Sequence, residues 1–348
     1  MGGRDGSDQV VVALVALLIL AACAPASTST ERSAAAPRAS TQTPSFPTVA
    51  VSPASSSAAP TRPVTLAGLI APGATIEFVA AGLTLAEGPL WLPDGRLIVS
   101  DVPGDVVMVI DAAGRMGDFR RPSHHANGHA LGADRSVVQA EQGDATTPGR
   151  ITRLARAGPD AVLADGFQGR RFNSPNDLAV KSDGTIWFTD PDYGLAGPSA
   201  IGFNGVYRLD PRTGAVTLLT RALGEPNGIA FSPDEKTLYV SDSEGAGVVE
   251  GAGVVTAFPV NGDGTIGPGK PFGRGCDGIG VDEMGDVWAS SCGREIVVTD
   301  PRGLEIGSIE FSGDTTNLAW GAQDGKTLFV TTTGGSVWRL RLTVGETP

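Results

Sequence analysis

Six times between residues 87 and 324 the chain repeats one unit: a polar residue, a short apolar strand, a turn, and a second strand ending in small polar residues. The copies are 87–94, 127–134, 176–183, 227–234, 277–284 and 317–324, and in each the leading residue stands seven positions before the turn residue. The turn residues Asp94, Asp134, Asp183, Asp234, Met284 and Asp324 lie 40, 49, 51, 50 and 40 apart. A period of that length, with two β-formers per turn, is the mark of a β-propeller built from one four-stranded sheet per blade around a central channel. Six copies predict an all-β, six-bladed propeller. A β-sandwich with similar turns gives no reason for six copies in register.

Blades meet face to face, so both faces of each sheet are covered, which accounts for unbroken apolar runs such as Ile296-Val297-Val298. The strand 75–79 lies ahead of the first unit, and 336–342 falls at the end of the last. Pairing them in one sheet closes the ring. Composition agrees: 48 glycines in 348 residues is about twice average usage and predicts many tight turns. A net charge of −12 excludes the basic footprint of a nucleic-acid binder. Three His, two of them adjacent (His124, His125), leave little for a His-based metal centre, and three Cys cannot build a Cys-rich zinc site.

The first strand of each propeller blade lines the channel, so the six leading residues should form a ring facing the axis. They are Glu87, Asn127, Asn176, Asn227, Asp277 and Asn317, and all six carry side-chain oxygens. Two carboxylates and several amide oxygens converging on one point suit a hard divalent cation, calcium above all. Each residue alone could be only a turn former, since four of the six precede glycine. Equivalence across all six units favours the ring.

With these motifs in hand, the chain resembles the SMP-30/gluconolactonase/lactonase-like group of six-bladed propellers over nearly all of residues 75–342. The resemblance is carried by Ala86-Glu87-Gly88-Pro89-Leu90-Trp91, Asn173-Ser174-Pro175-Asn176-Asp177 and Trp187-Phe188-Thr189-Asp190-Pro191-Asp192-Tyr193-Gly194. Glu225-Pro226-Asn227-Gly228 and Cys276-Asp277-Gly278 add to it, and the second and third motifs resemble the bacterial gluconolactonase branch. What the resemblance implies is a catalytic divalent ion, usually calcium, held by Glu87, Asn176, Asn227 and Asp277, with Asn127 and Asn317 facing substrate or water. Two departures stand out: Glu141-Gln142-Gly143 where the family usually has Glu-His-Gly, and Cys276 where it has proline.

Such a site would open a cyclic ester, with Asp277 serving as ligand and either taking the proton of an attacking water or attacking directly. Asp190, Asp192 and Tyr193, at the end of a second strand, either reach a bound sugar's hydroxyls or shape their loop. Two further functions fit the same sequence: a phosphotriesterase-like hydrolase, or a non-catalytic propeller that binds a ligand and uses calcium to stiffen its channel. The nucleophile elbow Gly-x-Ser-x-Gly is absent. No protein partner is predicted.

The first 63 residues form no part of the repeat. Residues 10–22 are an apolar run too short to span a bilayer, and the length fits a signal-peptide core. The run ends in Leu20-Ala21-Ala22-Cys23, which resembles the lipobox of bacterial lipoproteins. That implies cleavage before Cys23, a lipid on its thiol, and an exported protein anchored to a cell membrane. Residues 23–63, mostly Ala, Ser, Thr and Pro after the cysteine, read as a disordered spacer, and 64–348 as the propeller. In an exported protein the two remaining thiols, Cys276 and Cys292, are expected to pair. A two-residue turn at Met284-Gly285 would set Cys276 opposite residue 293, one position from Cys292.

Overall fold

The computed structural model describes residues 65–346 apart from 156, 196 and 245–252, all within the compact unit Pro60–Pro348. The expected signal peptide, Cys23 and the spacer to residue 63 lie outside the described residues. Six four-stranded sheets follow one another along the chain, every strand antiparallel to its neighbour. The inner strands are Ala86–Trp91, Ala126–Leu131, Leu178–Val180, Pro226–Phe231, Ile279–Val281 and Thr315–Gly321. Each touches the next and the last touches the first, so the ring is closed. This is the six-bladed propeller that the repeat predicts.

Closure uses both ends of the unit. Glu77–Ala81 is the outermost strand of the sixth sheet, beside Ser336–Arg341. It begins two residues later than the 75–79 expected, with Glu77 opposite Arg339 and Phe78 opposite Trp338. The cross-strand pairs fit that register: an ion pair at 2.6 Å and an edge-to-face ring contact at 5.5 Å.

Aromatic side chains lock neighbouring blades by one recurring geometry. A ring on the second strand of one blade meets a ring on the inner strand of the next: Trp187 with Phe231 at 5.1 Å, Trp288 with Trp320 at 5.9 Å, Phe329 with Trp91 at 5.4 Å. Trp91 and Trp320 therefore occupy the inner-strand kind of position, and Trp187 and Trp288 the second-strand kind. Each such pair contributes roughly 0.5–1.5 kcal/mol beyond the area it buries. Outside the six sheets stand a short helix, Leu66–Leu69, and a small hairpin of Gly166–Phe167 with Arg170–Arg171.

Blade five differs from expectation at its turn. Val281 pairs with Val287, so residues 282–286 make a five-residue connection rather than a two-residue one. Carried back along the strands, that register sets residue 276 opposite 292 instead of 293. The two cysteines are joined by a disulfide with Cα atoms 5.5 Å apart.

Candidate active site

The leading residues reach the axis because the residue after each of four is glycine. A Cβ on Gly88 would lie 1.9 Å from the Asn127 carbonyl oxygen, and one on Gly128 2.2 Å from Asp177 Oδ1. At Gly228 and Gly278 the obstacles would be the Asp277 carbonyl at 2.5 Å and Asn317 Oδ1 at 2.1 Å. Of the four, only Gly88 has a left-handed φ, +45°. The glycines are therefore set by crowding between inner strands, not by turns, and the turn-former explanation of the motif falls away. Hydroxyls from the second strands tie the same ring together. Ser100 donates to the Asn127 carbonyl at 2.9 Å, Thr189 to that of Asn227 at 2.6 Å, and Ser241 to that of Asp277 at 2.7 Å.

Blade three breaks the glycine pattern with Asp177, a carboxylate that the motif reading passed over. It is buried, and its Oδ1 accepts the Leu178 amide at 2.8 Å. The available signal was its place in the repeat, where four other blades have no side chain. Its presence makes the ring more acidic than its six leading residues imply. Burial, then the charges of Asp277 and Asp177, hold Glu87 well above the usual carboxylate range. Burial, then the charge of Asp177, push Asp277 up to about 8 against the pull of the Asn227 amide. Burial takes Asp177 itself to about 7. Three carboxyls in mutual electrostatic reach, largely out of water, demand neutralisation by protons or by a cation.

The amides sort themselves by what their oxygens do. Asn317 is committed: its Oδ1 accepts the Leu318 amide at 2.8 Å, and its Nδ2 donates to Glu87 Oε2 at 3.3 Å. It orients Glu87. Asn127 Oδ1 and Asn227 Oδ1 are buried without a hydrogen-bond partner. Asn227 Nδ2 points to Tyr193 Oη at 3.5 Å, which turns the amide oxygen the other way. Asn176 is buried two residues ahead of its strand, and its carbonyl accepts the Gly128 amide at 2.8 Å. Unpartnered amide oxygens among hard carboxylates fit a divalent cation such as calcium. Among the described residues no three His, Cys, Asp or Glu side chains are gathered as a ready metal cluster. A cation at this ring would rest on amide oxygens as much as on carboxylates.

At the mouth, Tyr193 is 40% exposed, and its hydroxyl donates to the Glu225 carbonyl at 3.1 Å and also meets Ser243 Oγ. It stands beside Asn227. Asp190 is fully buried and braces its own loop by accepting the Asn173 amide at 3.0 Å. Asp101 and Asp242 end their second strands in the same role, accepting Thr84 N at 3.0 Å and Glu225 N at 2.8 Å. Of the two readings open for Asp190, the structure selects loop support. The Cys276–Cys292 disulfide fixes the backbone one residue before Asp277, and Cys276 N donates to the Ser290 carbonyl at 2.8 Å. In blade two, where the sequence departs from the usual motif, Glu141 is a buried anchor accepting Gln139 at 2.7 Å and Thr152 at 2.6 Å and pairing with Arg150.

Comparison with known proteins adds to this geometry. The family described as SMP-30/gluconolactonase/LRE-like region matches residues 85–334. A gluconolactonase of Zymomonas mobilis is 31% identical over 288 residues, 73% of this chain and 78% of that protein. The pentonolactonase XacC of Haloferax volcanii is 27% identical over 265 residues, 72% of this chain and 82% of its own. Among solved structures, a gluconolactonase of Xanthomonas campestris superposes with a TM-score of 0.70 at 34% identity, covering 80% of this chain and 92% of that one.

Proposed function

The chain belongs to the SMP-30/gluconolactonase/LRE-like family, and from that premise we propose that it is a lactonase opening a sugar or related lactone with a divalent cation, calcium first, on the propeller axis. The observation that carries the reading is the pair of unpartnered buried amide oxygens, Asn127 Oδ1 and Asn227 Oδ1, set among carboxyls within reach of one another's charge. The lactone-hydrolysing relatives named above supply the reaction class. Glu87, Asn176, Asn227 and Asp277 would hold the cation. A bound divalent ion supplies Lewis-acid polarisation of the lactone carbonyl.

The chain's own residues do the rest. Asn317 holds Glu87 in place, and Tyr193 does the same for Asn227. Asp277, partly exposed at the mouth, takes the proton of the attacking water. A new bond forms from that water's oxygen to the acyl carbon, the ring C–O bond breaks, and the leaving oxygen takes up a proton to give a hydroxy acid. A positioned base of this kind contributes on the order of 10²–10⁴ in rate.

Two assays test the proposal. Purified protein is presented with glucono-δ-lactone, γ-lactones of pentonic acids and a phosphotriester, with and without a chelator. The expected result is lactone opening that a chelator abolishes and calcium restores, with the phosphotriester slower. Activity indifferent to chelation would overturn the cation's role. We further propose that the protein is exported and held to a membrane by lipid on Cys23. A Cys23→Ser chain is expected in the soluble fraction or unprocessed, with its lactonase unchanged. Wild-type protein free of lipid and beginning beyond residue 23 would contradict the anchor.

A further inference from the structure

Three residues that carry side chains adopt left-handed backbone at one place on the ring's side of the propeller: Asp105 (φ 51°), His124 (φ 56°) and His125 (φ 54°). That conformation is costly for residues with a Cβ and persists only where the surroundings impose it. Here they do. Asp105 Oδ1 accepts Ser123 N at 3.1 Å and His125 N at 3.0 Å. The Gln142 and Gly143 amides donate to the carbonyls of His125 and His124 at 3.1 and 3.0 Å. The loop is thus clamped on both sides immediately ahead of Ala126-Asn127, and Asn127 is a ring residue whose amide oxygen has no partner.

The clamp also fixes the imidazole. His125 Nδ1 lies 2.8 Å from the Val102 carbonyl. A carbonyl only accepts, so Nδ1 carries the hydrogen, and in the Nδ1–H tautomer Nε2 is an acceptor. Among the described residues Nε2 has no hydrogen-bond partner, and the side chain is part-exposed. The charges of Asp105 and Asp144 reach this imidazole. They disfavour an anion beside it and leave neutral donors as the suitable ligand.

We propose that His125 is a specificity residue of the lactonase site: its Nε2 accepts a hydrogen bond from a ring hydroxyl of the substrate, so the site prefers polyhydroxylated lactones over bare ones. The inference rests on the lactonase reading for its substrate class. A site built to bind a hydroxyl discriminates strongly against the analogue without it.

The test compares glucono-δ-lactone with δ-valerolactone, which lacks hydroxyls, in wild type and His125→Asn. Asparagine tolerates left-handed backbone, so the loop is kept while the acceptor is withdrawn from its position. The expected result is about a tenfold rise in KM for glucono-δ-lactone, with kcat/KM for δ-valerolactone and the melting temperature unchanged. His124→Asn is the control and leaves both lactones unaffected. His125→Gln is a second variant that guards against misfolding and is expected to behave as His125→Asn. Equal losses on the two lactones, or none on either, overturn the proposal. Binding of gluconolactam, which keeps the hydroxyls but has no ester, gives the same answer without turnover: a tenfold loss supports the role, and an unchanged affinity or no binding to wild type overturns it. An inactive wild type that binds the lactam in a His125-dependent way would sink the lactonase reading alone.

Discussion

Asp277→Asn is expected to lower lactone hydrolysis by about 10³-fold or more while leaving the fold intact. The substitution nearly preserves shape, but it removes a base and one of the charges that balance a divalent cation. Its stability signature is unusual. In metal-free protein the variant should melt at the wild-type temperature or above, because Asp277 is itself a cause of the raised Glu87 carboxyl. With calcium the order reverses. A ligand at 100 times its Kd stabilises the native state by about 2.7 kcal/mol, and only wild type retains that gain. Thermal melts with chelator and with calcium, beside steady-state rates, read both effects. Full activity in the variant, or an equal calcium shift in both proteins, would show that Asp277 is not part of the centre.

Gly88→Ala is expected to be among the most damaging single methyls in the propeller. The added Cβ would meet the Asn127 carbonyl oxygen at 1.9 Å, where the obstacle is backbone, and φ at Gly88 is already +45°. Neither the clash nor the dihedral can be relieved without moving two inner strands and two ring residues. A loss above about 4 kcal/mol follows, placing the variant among the exceptional cases. Gly95→Ala is the comparison. Its φ is +87°, but nothing lies within 4 Å of the point where its Cβ would stand, so it pays only for the dihedral, about 1–2 kcal/mol. Urea unfolding of the two variants separates crowding from backbone preference. Similar midpoints would mean that the inner strands are looser than the geometry implies.

The repeat is readable because in every blade the same stretch of chain runs from the ring residue along the inner strand to the turn into the second strand. The leading residue and the turn residue therefore keep a fixed distance, whatever the outer strands do. The positions of Glu87, Asn127, Asn176, Asn227, Asp277 and Asn317 at one end of the inner strands follow from that alone. What each side chain does there does not. Asn127 and Asn317 look equivalent in sequence, yet one amide oxygen is open and the other is taken by Leu318 N. That difference depends on Glu87 lying within reach of Asn317 across the closure of the ring, which no local pattern records. Asp190 looks available for a sugar because it follows an apolar strand. Its partner, the Asn173 amide, sits on the preceding loop, and only the folded hairpin brings the two together. Asp177 is hidden by its neighbour: beside an expected ligand it reads as part of a motif, and only its contrast with Gly88, Gly128, Gly228 and Gly278 marks it as an extra charge.

The central claim is that the oxygens on this axis hold the ion that makes the chain a lactonase. The most direct measurement is an experimental structure of the protein at millimolar calcium. One ion is expected on the axis, about 2.3–2.6 Å from oxygens of Glu87, Asn176, Asn227 and Asp277, and absent from the Asp277→Asn variant under the same conditions. An axis filled by water alone, in protein that nevertheless opens lactones, would contradict it.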